Sequence, residues 1–152
     1  MRPAAGSDRE QRQRPGTVTV LDEASASMSP IIEIGDRLTV VRHEGESLRR
    51  GAVVTCFDGR RVVAHRLIGW RAGILTTKGD ANRDADPPVD DVRYCGEVIA
   101  ARRPDGRTRD LTSRRWRVTG AALAGIDALP VGRTLRWILT RLLCHASARC
   151  LR

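Results

Sequence analysis

Three short stretches of the sequence carry the residue types that acyl-transfer chemistry uses. The first is Ser25-Ala26-Ser27-Met28-Ser29-Pro30, followed by Gly35-Asp36. The second, Val62-Val63-Ala64-His65-Arg66-Leu67-Ile68, begins just after Asp58-Gly59. The third is Thr77-Lys78-Gly79-Asp80-Ala81-Asn82, with Asp86-Pro87-Pro88 behind it. A serine hydroxyl is a weak nucleophile until a neighbouring base accepts its proton. Histidine is a competent base near neutral pH, and a carboxylate fixes its tautomer and steadies the imidazolium that forms. Each residue also has an ordinary use. Serine caps helices, histidine sits satisfied in strands, and aspartate shapes turns, so chain order alone does not separate these readings. Cysteine and metal chemistry have weaker support. Cys56, Cys95, Cys144 and Cys150 show no CxxC spacing, and Cys144, His145 and Cys150 fit no zinc-ligand pattern. No metal or other cofactor is expected.

The elements that must position these residues are mostly strands. Residues 17–21 (TVTVL) read as a short strand running into the small-residue loop that holds Ser25 and Ser27. Residues 28–34 have room for one helical turn with Pro30 early in it. Further β-rich runs fall at 37–43, 52–57, 61–70, 74–77 and 92–100, separated by turns such as Asp58-Gly59 and Arg71-Ala72-Gly73. Asp-Gly between two β-branched runs is a strong hairpin signal. Short strands at this spacing predict a mainly β fold, a twisted and partly closed barrel or sheet, rather than βαβ units. A polar linker over 103–113 then leads to a segment rich in Ala, Leu and Gly at 116–129. Beyond it, residues 133–144 place Leu135, Ile138, Leu139 and Leu142 at helical spacing. One or two C-terminal helices are predicted.

The net charge of +9 is unevenly placed. Residues 1–100 hold 15 basic and 15 acidic side chains, whereas residues 101–152 hold 12 basic and 3 acidic, which is the whole excess. A neutral body thus carries a basic C-terminal segment, the footprint of an anionic surface or of nucleic acid. No helix-turn-helix pattern precedes the β-rich part, which counts against nucleic acid. The apolar stretch over 118–131 contains Asp127 and stops at Pro130 and Arg133, too short to cross a bilayer. A helix lying on an anionic membrane through residues 114–152 is the expected partner surface, with Trp137 among Arg133, Arg136 and Arg141 as an interfacial anchor. The alternative is that the stripe packs on the β body. Residues 1–16 are polar, without the apolar core of a signal peptide, and read as a disordered tail. The chain divides into that tail, a body over 17–102 and a basic helical segment over 103–152. A cytoplasmic setting with reduced thiols is expected, with peripheral membrane contact.

Taken together, the serine box, the Gly35-Asp36 pair eight residues after Ser27, the β-run ending in His65-Arg66 and the Lys78-Gly79-Asp80 box resemble the signal peptidase I family. The likeness is to its Ser–His–Asp branch, known from archaeal and endoplasmic-reticulum enzymes within the wider LexA and signal peptidase superfamily. It spans about residues 20–100. The resemblance implies a serine endopeptidase of that fold, acting on a peptide or precursor protein without a cofactor. By position, Ser27 matches the nucleophile and His65 the general base, where LexA-like and bacterial relatives place a lysine. Asp86 matches the carboxylate that orients His65. Asp80 matches a second aspartate that shapes the third box and is the alternative triad member. The oxyanion donors would be the Ser27 N–H and the Ser25 hydroxyl, and Met28 and Pro30 would shape the wall of the cleft. The chain departs from the family in three ways. Ala26 replaces a usual glycine, which costs about 1 kcal/mol if positive φ is required; no N-terminal membrane anchor is evident; and the Arg-rich C-terminal segment is foreign to the standard enzyme. A LexA-like self-cleaving, DNA-associated regulator and a non-catalytic membrane-surface module are the other classes the residues allow.

Overall fold

The computed structural model describes residues 16, 18–23, 25–43, 48–90 and 93–149. Of the tail expected over residues 1–16 only Gly16 is among them, and Val92 and Cys150 also lie outside. In chain order the elements are β1 (Val18–Asp22), β2 (Arg37–Val41), β3 (Val53–Phe57), β4 (Val62–Arg71), β5 (Ile74–Lys78), β6 (Val89–Asp90), β7 (Tyr94–Arg102) and β8 (Thr108–Asp110). Two helices follow, α1 (Arg114–Ile126) and α2 (Arg133–Arg149). The eight strands form one curled antiparallel sheet, a half-barrel in the order β1-β2-β7-β3-β4-β5-β6, with β8 joined to β7.

Turn chemistry sets the hairpins. Asp58 Oδ1 accepts the N–H groups of Arg60 and Arg61 at 2.8 and 2.9 Å, and Gly59 takes φ +99°, so β3 turns directly into β4. At the next hairpin Ala72 and Gly73 have φ +50° and +77°. Two consecutive positive φ values mark the turn that suits the right-handed twist of paired strands. The register has one consequence for the site. Residues 62–66 pair with β3, whereas β5 joins only from Arg66 onward. Among the described residues no strand pairs with the other hydrogen-bonding edge of residues 62–65. Between it and the end of β1 lies a cavity of about 60 Å³, lined by Leu21, Glu23, Ser25, Val63 and Ala64 among others.

Strand alternation divides the core. Val53, Ala64, Val40, Val98 and Ala101 join Met28, Ile31, Ile32, Trp116 and Leu123 in the main cluster, while Val54, Cys56, Leu67, Leu75 and Tyr94 make a smaller one. The helices cover the main cluster. At one crossing a Cβ on Gly120 would lie 2.3 Å from Gly51 O, so two glycines allow α1 to touch the β3 entry. No helix among the described residues is long and apolar enough to cross a membrane.

Several sequence expectations change here. Met28 O accepts from both Ile31 N and Ile32 N at 3.1 Å, which closes one turn but no helix, and Ser29–Pro30 is a cis peptide. The polar stretch expected as a linker contains β8, stitched to β7 by three residue pairs. Apart from half-buried Leu139, the stripe of α2 does not pack on the body. Thr140, Cys144 and Ser147 face inward, while Leu135, Ile138 and Leu142 are 47%, 40% and 64% exposed. The arginines expected to meet lipid are engaged within the protein: Arg133 with Asp84, Arg136 with Asp127 O and Arg141 with Ser29 O. Trp137 also points inward, donating to Ala81 O at 3.1 Å beneath Arg83. It is not an interfacial anchor.

Candidate active site

The turn after β1 carries Ser27. Both ends of its loop are tied, since Glu23 N donates to Asp36 O at 2.8 Å and Gly35 N to Glu23 O at 2.9 Å. Its floor is apolar. Met28, Ile31 and Ile32 are fully buried and hold the backbone while Ser27 points away from the core. The third box presses on the same turn, with Ala81 N donating to Ser27 O at 2.8 Å. A Cβ on Gly79 would sit 2.8 Å from that oxygen, so glycine is what lets the box approach. Ala26 has no positive φ, so alanine fits there without strain.

His65 stands in β4 opposite Val54, and by alternation its neighbour Arg66 projects from the other face. Its Nε2 lies 2.9 Å from Ser27 Oγ and its Nδ1 lies 2.6 Å from Asp86 Oδ2. A carboxylate only accepts hydrogen bonds, so the Nδ1 proton belongs on the Asp86 side. That leaves the Nε2 lone pair to take the Ser27 proton. Asp86 is itself positioned, with Thr77 Oγ1 donating to Oδ2 at 2.7 Å and the Asp86 N–H donating to Thr77 O at 2.8 Å. Asp80 is used differently. Its two oxygens accept Arg66 Nε and Nη2 at 2.7 and 2.6 Å, in a fork that is nearly fully buried. The structure thus brings Ser27, His65 and Asp86 into one line and puts Asp80 on Arg66.

Ser25 Oγ is 2.9 Å from Ser27 Oγ and also 2.9 Å from Glu23 Oε1, which accepts the Ser25 N–H at 2.8 Å as well. The Ser27 N–H makes no hydrogen bond among the described residues, so it is open to a substrate oxygen. Met28 and Pro30 do not line this place. Met28 lies in the main core, a correction to its expected place in the cleft wall. Pro30 borders a separate basic cleft with Arg109, His145 and Arg149.

The two buried cysteines, Cys56 and Cys144, are poor nucleophiles. Burial, with Cys95 and Asp86 nearby, pushes the Cys56 thiol up to about 12, and burial with Asp80 nearby does the same for Cys144. The reactive form is the thiolate, so both are inert at neutral pH. Among the described residues no three His, Cys, Asp or Glu side chains gather as a metal site.

Sequence reading did not find Glu23, Thr77 or the donors from α2. Arg141 Nη1 reaches Ser29 O at 2.6 Å and Trp137 reaches Ala81 O, so α2 holds both loops that meet at Ser27. Single donors to backbone carbonyls leave no periodic signal. Thr77, next to Lys78-Gly79-Asp80 and alternating on its strand with Leu75, was the one position a pattern marked. No family model, curated protein or solved structure matches the chain.

Proposed function

We propose that the chain is a serine endopeptidase of the signal peptidase type, cleaving a peptide bond through an acyl-enzyme on Ser27. The observation that carries this reading is the continuous line Ser27 Oγ–His65 Nε2 and His65 Nδ1–Asp86 Oδ2, at 2.9 and 2.6 Å. Ser27 Oγ attacks the scissile carbonyl as His65 takes its proton, and Asp86 steadies the imidazolium. The Ser27 N–H and the Ser25 hydroxyl receive the oxyanion. His65 then gives its proton to the leaving amine, and water repeats the sequence to release the acyl group. The edge of residues 62–65 that no described strand pairs suits a substrate added as a strand, its backbone hydrogen-bonded and alternate side chains turned toward the body. The adjoining cavity of about 60 Å³ admits only a small side chain. Peptides bearing small residues such as alanine at the cleavage site are therefore the substrates to test. Cleavage by the wild type that disappears in Ser27→Ala supports the reading; equal cleavage by both would refute it.

A specific observation also favours a membrane partner. Val118 and Leu129, flanking or within α1, and Leu135, Ile138 and Leu142 of α2 are all exposed, so both helices turn apolar residues outward. Where α1 begins and α2 ends, a cleft of about 690 Å³ is lined by Arg103, Arg107, Arg109, Arg115 and Arg149 against Glu33, Asp36 and Asp110, an excess of basic side chains even though Arg103 is paired with Glu33 and Arg107 with Asp105. Apolar area beside a net-basic cleft is complementary to an anionic lipid surface. We propose that the helical hairpin rests peripherally on such a membrane.

A further inference from the structure

Hydrogen-bond arithmetic around Ser25 points to a role for Glu23. The Ser25 hydroxyl has one proton and two acceptors at the same distance, Glu23 Oε1 and Ser27 Oγ, each at 2.9 Å. Ser27 also has one proton, with His65 Nε2 and Ser25 Oγ each 2.9 Å away. A carboxylate oxygen is the stronger acceptor, because charge-assisted hydrogen bonds are roughly twice as strong as neutral ones. The Ser25 proton therefore rests on Glu23. Little disturbs that arrangement. Glu23 is 9% exposed and its backbone is fixed in both directions. Arg61, the cation lining the same cavity, is paired with Asp58.

If Ser25 is to donate to an oxyanion, as the acyl-transfer reading of Ser27 requires, its hydroxyl must first leave Glu23. The hydroxyl rotates, no covalent bond changes, and Glu23 keeps only the Ser25 N–H. Breaking the hydroxyl's hydrogen bond to Glu23 opposes the transition state and does not oppose substrate binding, so it reduces kcat rather than raises KM.

We infer that Glu23 is a latch on the oxyanion donor: it holds the Ser25 hydroxyl away from the carbonyl site in the peptide-free enzyme and restrains acylation of Ser27. It is a positioning residue that acts through Ser25, and its removal speeds the reaction. A purely structural acidic residue would not behave this way, because its loss leaves a site unchanged or impaired.

The test is the rate at which Ser27 is phosphonylated by a fluorophosphonate, followed by intact mass on the full chain. Its tetrahedral product places an oxygen where the oxyanion would lie. Glu23→Gln keeps the shape and the acceptor for the Ser25 N–H but removes the charge. It should be labelled about five- to tenfold faster than wild type, the difference expected between a charge-assisted and a neutral hydrogen bond. Glu23→Ala, which removes the acceptor, should shift the rate the same way and serves if the amide variant misfolds. In a Ser25→Ala background the same Glu23 substitutions should have no effect. A folded Glu23→Gln labelled no faster than wild type overturns the inference, and so does an acceleration that persists without the Ser25 hydroxyl. Absence of labelling in wild type and all Glu23 variants alike would instead remove the acyl-transfer reading, and this inference with it.

Discussion

Asp80 and Asp86 sit in one loop, six positions apart, and the structure gives them opposite partners. Asp86 meets the imidazole and Asp80 meets a guanidinium on the other face of β4, because consecutive strand residues point to opposite sides. Removing each should therefore do different damage. Asp86→Asn turns a pure acceptor into an amide and disfavours the productive tautomer of His65. It should lower kcat by about 10³–10⁴ with little change in Tm. Asp80→Asn leaves the buried Arg66 without its counter-charge and should cost about 3–5 kcal/mol of stability. Equal loss of Tm in the two variants, measured by thermal unfolding beside activity, would contradict this division. At this scale Ser27, His65 and both aspartates were marked by the resemblance of their three boxes to a known family, and the structure brings Ser27, His65 and Asp86 together. Glu23 was not so marked. A single carboxylate at a strand end looks like any turn residue until the Ser25 hydroxyl is found 2.9 Å from it.

The strands were legible from alternation, and β2 shows why: Leu38 and Val40 are buried while Arg37 is exposed and Thr39 and Val41 lie between. The strands β6 and β8, two and three residues long, are too short to carry such a signal. The helices show a different limit. The spacing of Leu135, Ile138, Leu139 and Leu142 identifies α2 as a helix but not the face it turns to the body. The inward face is built from Thr140, Cys144 and Ser147, small enough for close approach, with Trp137 and Arg141 bonding loop carbonyls at its flanks. The helical hairpin is tied to the sheet by charge as well. Lys78 Nζ, nearly fully buried, reaches Asp127 just beyond α1 at 2.6 Å. Asp127→Ala strands that ammonium and should destabilise the whole protein by about 3 kcal/mol or more. It should also slow the reaction, because the third box follows Lys78 directly. A thermal unfolding curve unchanged by Asp127→Ala would show that the hairpin contributes no such support.

On the scale of the whole molecule, a curled sheet holds the candidate site while two helices brace its loops from inside and expose an apolar surface outside. The partly closed β architecture and the C-terminal helices were legible in the order of short strands and helical spacing. The direction of the apolar face was not, since it depends on which residues fit against the sheet. The membrane proposal is best tested by surface substitutions, because deleting residues 114–152 would also remove Asp127, Trp137 and Arg141. Ile138→Asp combined with Leu142→Asp should abolish co-sedimentation with anionic vesicles at low salt while sparing Tm and peptide cleavage. Undiminished vesicle binding would contradict it. The most direct measurement for the acyl-transfer account is mass-spectrometric mapping of the adduct left by a fluorophosphonate. The account predicts one adduct, on Ser27, formed by wild type and slowed by about 10³-fold or more in folded His65→Ala, whose imidazole is the base. An adduct on another residue, or labelling of Ser27 at the wild-type rate without His65, would contradict it.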